Sequence, residues 1–408
     1  MLATLIPLFD ENMSVKAYSL FTQKVNYLMN PIFVGTGYND GAGNILGLEV
    51  INSIGIENLA NNTDIFVPVT NVSLFSDIEA QCDVPHERIC ILIDKAVKSE
   101  DMYVNRIREL KAKGYKFGIR KLMVPDFEPY RQIISLMDYV FLDHKKIVIE
   151  KAKIYFSKVY PDVKLVAGNI ATMDNFDALK EQGGYQFYEG EFYRVPITKG
   201  VAEIAPLKIN YIELLNIVNS DNFELTQAAD IIGRDTALVI SLLEMVNHMA
   251  VNSEITSIRH AAAMLGQKEL KKWITTAVTK QLCQDKPSEV ARVSLLRAKF
   301  AENLAPIFEQ AGLSQELFMM GLFSVLDIIL NKPMEEALDM LKVSQNIRNA
   351  LLKHEGPYAP LYDFMLQYES ANWTEIDRLM ILKEMDSDAV YDAYIDTLRW
   401  YKDLFASK

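Results

Sequence analysis

The sequence predicts two architectures in one chain: an α/β region built as a (β/α) barrel, followed by an all-α domain. Three observations predict them. Strand-like and helix-like hydrophobic periods alternate from residue 2 to residue 188. Strand signals vanish from Lys208 onward, and helical periods then follow one another to the end. Gly, Pro, Ser and Asp fall where each period needs a start or a stop. The barrel is placed at 1–197, a linker at 198–207, and the helical domain with its C-terminal helices at 208–408.

In order, residues 2–9 and 15–22 read as strands joined by the turn Asp10-Glu11-Asn12, a hairpin. Residues 33–44 hold Gly35, Gly37, Gly41 and Gly43. No strand–loop–helix order frames them and no Gly-Lys-Ser/Thr follows, so a flexible loop outweighs a phosphate cradle. Residues 48–60 have helical spacing, with Leu48, Ile51, Ile54 and Leu59 apolar. Residues 64–70 and 89–94 read as buried strands. The helix at 101–113 puts Val104, Ile107 and Leu110 on one face. Strands at 115–119, 139–143, 163–167 and 185–188 then alternate with helices at 130–137, 149–159 and 175–182, the last stopped by Gly183-Gly184. Repeated strand–helix units mean a parallel sheet, and this count suits a closed barrel.

Beyond Pro206, which breaks the linker, helices are predicted at 209–218, 225–232 (ending at Gly233) and 236–248. More follow at 258–265, 267–283 (across Gly266), 288–308 and 315–330. The last are a short helix from Pro333 to Leu341, then 344–352, one opened by Pro357, and 373–400. The aromatic run 388–405, DAVYDAYIDTLRWYKDLF, is expected to dock on the helical domain; an exposed interaction helix is the sharper reading.

Half of the 408 residues are hydrophobic, which suits two globular cores. The formal charge is −12, and the estimated isoelectric point is about 5.1. That disfavours nucleic acid and anionic membrane, which both need a concentrated basic face. Cys82, Cys90 and Cys283 are widely spaced and form no CxxC pair, so buried thiols in a reducing compartment are expected. The N-terminal apolar run lacks basic residues before it and ends at Asp10-Glu11, so it reads as a strand, not a signal peptide. Residues 317–330 are too few to span a bilayer. A cytoplasmic protein is expected.

The chemistry turns on residues 115–126, YKFGIRKLMVPD. A strand end at the carboxyl face of a (β/α) barrel is where catalytic groups usually sit. A two-metal phosphodiesterase wants carboxylates there. This chain has Arg120 and Lys121. A solvated strand end explains them; so does contact with an acidic partner or a nucleotide phosphate.

Three phrases carry a family resemblance. LIPLFDENMSVKAYSLF resembles the opening of EAL-type cyclic di-guanylate phosphodiesterase domains, which place their Glu-Ala-Leu signature on the second strand. LKAKGYKFGIRKL resembles their segment ending in Asp-Asp-Phe. LVAGNIATMDNFDALKEQGGYQFYEGEFYRVP resembles their closing segment, above all at Gly190-x-Phe192-Tyr193-x-x-Pro196. The resemblance covers about 1–197 and implies an EAL-type barrel.

The departures fall on the chemistry. The family's first metal-binding glutamate corresponds to Ser19, its asparagine ligand to Pro68 and its mid-barrel glutamate to Leu92. Its Asp-Asp pair becomes Arg120-Lys121, and its catalytic lysine becomes Phe141, with Asp143 kept two residues on. Its later glutamate becomes Gly168 and its final glutamine Glu189. The resemblance therefore implies a degenerate site with no catalytic residue and no metal.

The second half resembles the HDOD domain, a helical relative of HD-type phosphohydrolases. FELTQAADIIGRDTALVISLLEMVNHMAV and SIRHAAAMLGQKELKKWI carry it, over roughly 200–370. An HD hydrolase needs His-Asp pairs as metal ligands; MGLFSVLDIIL, residues 320–330, has Ser324-Val325 in their place. The five histidines, His86, His144, His248, His260 and His354, read as surface or hydrogen-bonded residues before they read as ligands. Met319-Met320 reads as core packing before it reads as a partner groove.

An EAL-like barrel followed by HDOD matches a bacterial signal-transduction architecture. The expected function is a catalytically inactive signalling adaptor that works through an unidentified protein partner, with no cofactor. The alternative is a receptor that holds cyclic di-guanylate without cutting it; loss of the usual ligands argues against that. An active phosphodiesterase is the least favoured reading. Homodimerisation is left open by family analogy.

Overall fold

Continuous apolar runs, buried on both faces, set most of the strands, and eight of them close into a barrel in sequence order, β1 to β8. The structure is a computed structural model. It describes residues 1–24, 26, 28, 43–60, 62–196, 206–220, 223–249 and 255–406. Most of the glycine-rich stretch 33–44 and most of the expected linker 198–207 lie outside the described residues.

The strands are β1 (Leu2–Phe9), β2 (Val15–Gln23), β3 (Asp64–Pro68), β4 (Ile89–Asp94), β5 (Lys116–Arg120), β6 (Tyr139–Asp143), β7 (Lys164–Ile170) and β8 (Phe187–Gly190). Only β1 runs antiparallel to its neighbours; β2 through β8 are mutually parallel. The carboxyl ends of β2–β8 therefore define one mouth. The start of β1 lies at that same mouth, because Leu2 pairs with Gln23 and Thr4 with Phe21.

The interior is filled by Leu8, Ala17, Phe66, Cys90, Leu92, Tyr139, Phe141, Val166 and Phe187. Phe66 packs edge-on against Tyr139, Phe141 and Phe187, and Tyr139 stacks on Phe187. Such rings contribute area and edge-to-face attraction together. Gly118 leaves room for them: a Cβ there would stand 3.2 Å from Leu92. Outside the strands lie α1 (Leu46–Ile54), α2 (Ile56–Ala60), α3 (Asp101–Ala112), α4 (Arg131–Ile134), α5 (Ile149–Val159) and α6 (Met173–Gln182). The predicted helix at 48–60 is two helices, broken where Gly55 turns at φ 87°.

The two sides of β1 differ. Toward β2 it is paired along its whole length; toward β8 it is paired only at Leu8–Glu189 and Phe9–Tyr188. Backbone groups left buried without partners are costly. The Ala3 amide donates instead to the hydroxyl of Tyr368 at 3.3 Å.

Tyr368 belongs to the C-terminal helices. The chain divides into two compact units, Met1–Val195 with Phe364–Arg399, and Pro196–Asp363 with Trp400–Lys408. The expectation that the C-terminal helices dock on the helical domain is therefore corrected for Phe364–Arg399. Within that first unit Gln23 Nε2 donates to buried Asp377 at 2.6 Å, and Thr4 Oγ1 stands 3.4 Å from the Tyr394 hydroxyl. Arg194 reaches Glu369 at 2.7 Å and Glu191 at 2.9 Å. The chain's end thus seals the open edge of its first strand. Short-range periodicity carries no trace of such a contact.

The remaining helices are α7 (Pro206–Val218), α8 (Leu225–Ile232), α9 (Thr236–Met249), α10 (Ile258–Leu282), α11 (Ser288–Leu304), α12 (Ser314–Phe323), α13 (Leu326–Leu330), α14 (Met334–Asp339), α15 (Gln345–Lys353), α16 (Ala359–Glu369), α17 (Trp373–Leu382) and α18 (Ser387–Ala406). α7 begins at Pro206, inside the expected linker 198–207 and at a favoured first helical position. α10 is interrupted at Gly266 (φ 73°), where the sequence places a break. The predicted helices at 315–330 and 373–400 are each two. The first breaks at Ser324-Val325, where the Ser324 hydroxyl bonds back to the Gly321 carbonyl at 2.6 Å. α11 and α12 cross closely at Gly321, where a Cβ would lie 2.3 Å from the Arg297 carbonyl oxygen.

Candidate functional site at the barrel mouth

Side chains alternate along a strand, so residues two apart share a face. Phe66, Leu92, Phe141, Val166 and Phe187 point inward. By the same parity and the strand register, Ser19, Pro68, Asp94, Arg120, Asp143, Gly168 and Glu189 line the inner face nearer the mouth. The sequence-derived positions thus converge on one end of the barrel, with three qualifications. Leu92 pairs with Gly118, a step below Arg120, whose partner on β4 is Asp94. Phe141 pairs with Val166, a step below Asp143. Lys121 follows β5 in left-handed backbone (φ 64°) and reaches the mouth from outside the strand's parity.

Arg120 is the centre of this arrangement. Its Nη2 donates to Glu189 Oε1 at 3.1 Å, and Ser19 Oγ donates to Glu189 Oε2 at 3.3 Å. The guanidinium carbon lies 4.9 Å from the Phe21 ring centroid and 5.4 Å from that of Phe141, a cation between two aromatic faces. The Arg120 and Glu189 side chains are 21% and 9% exposed, so their pairing is little screened. Arg120 Nη1 is buried and has no hydrogen-bond partner among the described residues.

The other two acids are also matched. Lys121 Nζ stands 2.9 Å from Asp94 Oδ2. Burial alone would raise the Asp94 carboxyl, but the Ala96 amide, Lys121 and Arg120 outweigh it and hold the pKa below the usual value. Asp143 receives Lys146 at 3.4 Å and the Asn169 amide at 3.2 Å. Asn169 sits in a β7 irregularity at φ 65°, and Gly190 closes against it: a Cβ on Gly190 would fall 2.1 Å from the Ile170 carbonyl oxygen. That contact gives the closing Gly-x-Phe-Tyr phrase a steric reason.

Sequence reasoning missed Phe21 and the pairing of Arg120 with Glu189, residues 69 positions apart. Strand parity could have suggested Phe21, since it follows Ser19 by two; nothing local marks the ion pair.

In the helical unit Ser324 is buried and accepts from Arg297 Nη1 at 3.1 Å. His86 stacks on Tyr115 and pairs with the Lys113 carbonyl at 3.0 Å; His354 pairs with Asp363. Among the described residues no group of three His, Cys, Asp or Glu side chains is placed to hold a metal ion. All three cysteines are buried and unbridged. Met319 and Met320 are buried, as core packing requires. No helix among the described residues is long and apolar enough to cross a membrane.

Residues 204–355 match the family model of the HDOD domain. The helical half contains an HDOD domain. The matched HDOD segment covers α7 through α15. The uncharacterized protein YuxH of Bacillus subtilis is 25% identical over 98% of this chain and 98% of its own length. Cyclic di-GMP phosphodiesterase CdgJ of Vibrio cholerae is 25% identical over 79% of this chain and 75% of its own. Among solved structures, the EAL domain of Mycobacterium smegmatis DcpA covers 46% of this chain and 89% of its own, with 15% identity and a TM-score of 0.36. The first half is an EAL-like barrel by its closed topology and by the phrases on its strands. With its HDOD domain, the chain is related to proteins of cyclic di-GMP signalling.

Proposed function

We propose that this chain is a catalytically inactive signalling adaptor that acts through protein–protein contacts. One observation carries the reading: the Arg120 guanidinium stands at the barrel mouth, paired with Glu189 and seated between Phe21 and Phe141. Two-metal phosphoester cleavage needs carboxylates around two cations. A fixed guanidinium repels a cation brought to that place, by about 4 kcal/mol per unit charge at about 4 Å in a protein-like dielectric. The acids that remain, Asp94, Asp143 and Glu189, already have cationic partners. Ser19, Pro68, Phe141 and Gly168 offer no carboxylate.

A second reading has an observation of its own. Arg120 keeps a buried, unpartnered Nη1, and the Lys121 side chain beside it is 60% exposed. A receptor that holds cyclic di-guanylate without cutting it would set a phosphate against these two groups.

Calorimetric titration of the full chain with cyclic di-guanylate, with and without magnesium or calcium, separates the readings. The adaptor gives no heat and no linear dinucleotide. Heat without product, abolished by Arg120→Ala and Lys121→Ala, establishes the receptor instead. Metal-dependent product overturns both.

A further inference from the structure

The β1–β2 hairpin runs on past the barrel wall. β3 pairs with β2 only from Ala17 to Ser19, and β8 pairs with β1 only at Leu8 and Phe9. Leu8 and Ala17 face the interior. By parity the register pairs Ile6–Ser19, Thr4–Phe21 and Leu2–Gln23 continue that inner face toward the mouth. Phe21 holds Arg120, so Leu2 and Gln23 stand one step beyond the Arg120 site. The inner side of a protruding hairpin end faces water unless something covers it. Leu2 and Gln23 are only 3% and 2% exposed.

α17, within the same compact unit, covers them. Gln23 Nε2 donates to Asp377 Oδ1 at 2.6 Å, and Asn26 Nδ2 donates to the Asp377 carbonyl at 3.0 Å. The helix has a small hold on the barrel. Its buried face is Ile376, Asp377 and Met380, while Ile381 and Leu382 are 40% and 65% exposed. Gln23 Oε1 is buried with no partner among the described residues, and water satisfies it once the helix lifts. Both ends of α17 turn on non-glycine residues in left-handed backbone, Ala371 (φ 53°) and Glu384 (φ 51°), a conformation such residues adopt at a cost. Little apolar area, a polar latch and a strained turn at each end describe an element that opens before the barrel unfolds.

We propose that α17 is a lid over the β1–β2 side of the barrel mouth, hinged at Ala371 and Glu384 and latched by Gln23 on Asp377. It lifts before the Arg120 end meets a protein partner. The role of the lid rests on the adaptor reading; its opening does not.

The first test is native-state hydrogen exchange of the full chain, read by mass spectrometry across a urea series. Amides of α17 are expected to exchange with a smaller urea slope than those of β4 and β5, because lifting exposes less surface than unfolding does. Gln23→Ala removes the latch donor. It should speed α17 exchange about tenfold or more, and with it the modification of Arg120 by phenylglyoxal. Exchange of α17 at the rate and slope of β4 makes the helix a fixed part of the barrel and overturns the proposal, even where the variant is unstable. So does a Gln23→Ala chain whose α17 exchange is unchanged, or whose Arg120 is modified no faster. Neither measurement uses a nucleotide or a partner, so metal-dependent product in the calorimetric titration would overturn the adaptor and leave the opening of the lid standing.

Discussion

At the barrel mouth every acid discussed has a cation beside it: Glu189 has Arg120, Asp94 has Lys121, Asp143 has Lys146. Between α12 and α15 of the helical unit the pattern differs: the Glu316 carboxylate accepts from the hydroxyls of Ser344 and Tyr358. The difference teaches where each half of the chain has spent its polar groups. The mouth pairs them with one another. Between α12 and α15 neutral hydroxyls meet the acid instead.

That contrast can be broken first at the mouth. Arg120→Ala leaves the Glu189 carboxylate, 9% exposed, without its cation, and removes a guanidinium from two aromatic faces. Breaking one side of a largely buried pair should destabilise the barrel by about 2–3 kcal/mol. Urea unfolding measures it. The double variant Arg120→Met with Glu189→Gln should recover most of the loss, since it leaves no unpaired charge. A single variant as stable as the wild type would mean that the pair holds nothing in place.

At the start of α15, Ser344→Ala is the matching probe. Its hydroxyl caps α15 by accepting from the Ile347 amide and also donates to Glu316. Loss of such a cap removes about 1 kcal/mol, read as a lower unfolding midpoint with an unchanged denaturant slope. Ser344→Asp should restore the cap but set a second carboxylate beside Glu316, so only part of the lost stability should return.

The smallest effect is electrostatic. The folded chain holds the Asp94 carboxyl below its ordinary value. The unfolded chain therefore binds that proton first as pH falls. The contribution is complete above the ordinary carboxylate range, near pH 4, and is lost as pH drops through the folded value. Lys121→Ala should flatten the stability profile in that acid window by lowering stability above it, and leave stability nearly unchanged at the lowest pH, where Asp94 is protonated. An identical acid profile would show that Lys121 does not sustain the shift.

How far the residues alone could reach is visible in particular elements. The hairpin at the start, ICILID and YVFLD were legible because buried strands need continuous apolar runs. The interruption of α10 was legible because Gly266 takes a backbone that other residues rarely adopt. The breaks at Ser324 and between α17 and α18 were not read, although their causes are local: the Ser324 hydroxyl bonds back to the Gly321 carbonyl, and Glu384 takes left-handed backbone (φ 51°) just before α18. Arg120 was legible as a cation at a strand end where the resemblance implies acids. Its pairing with Glu189 needed the barrel to close.

The sequence by itself determined the alternation of strand and helix, the change to helices near Lys208, and the type of side chain at each place. These follow from local periodicity and residue chemistry. Only the tertiary structure decided which charges meet and which edge the chain's end seals. Tyr368 meets Ala3 from 365 residues away, because β8 leaves the start of β1 unpaired and a buried amide must find an acceptor.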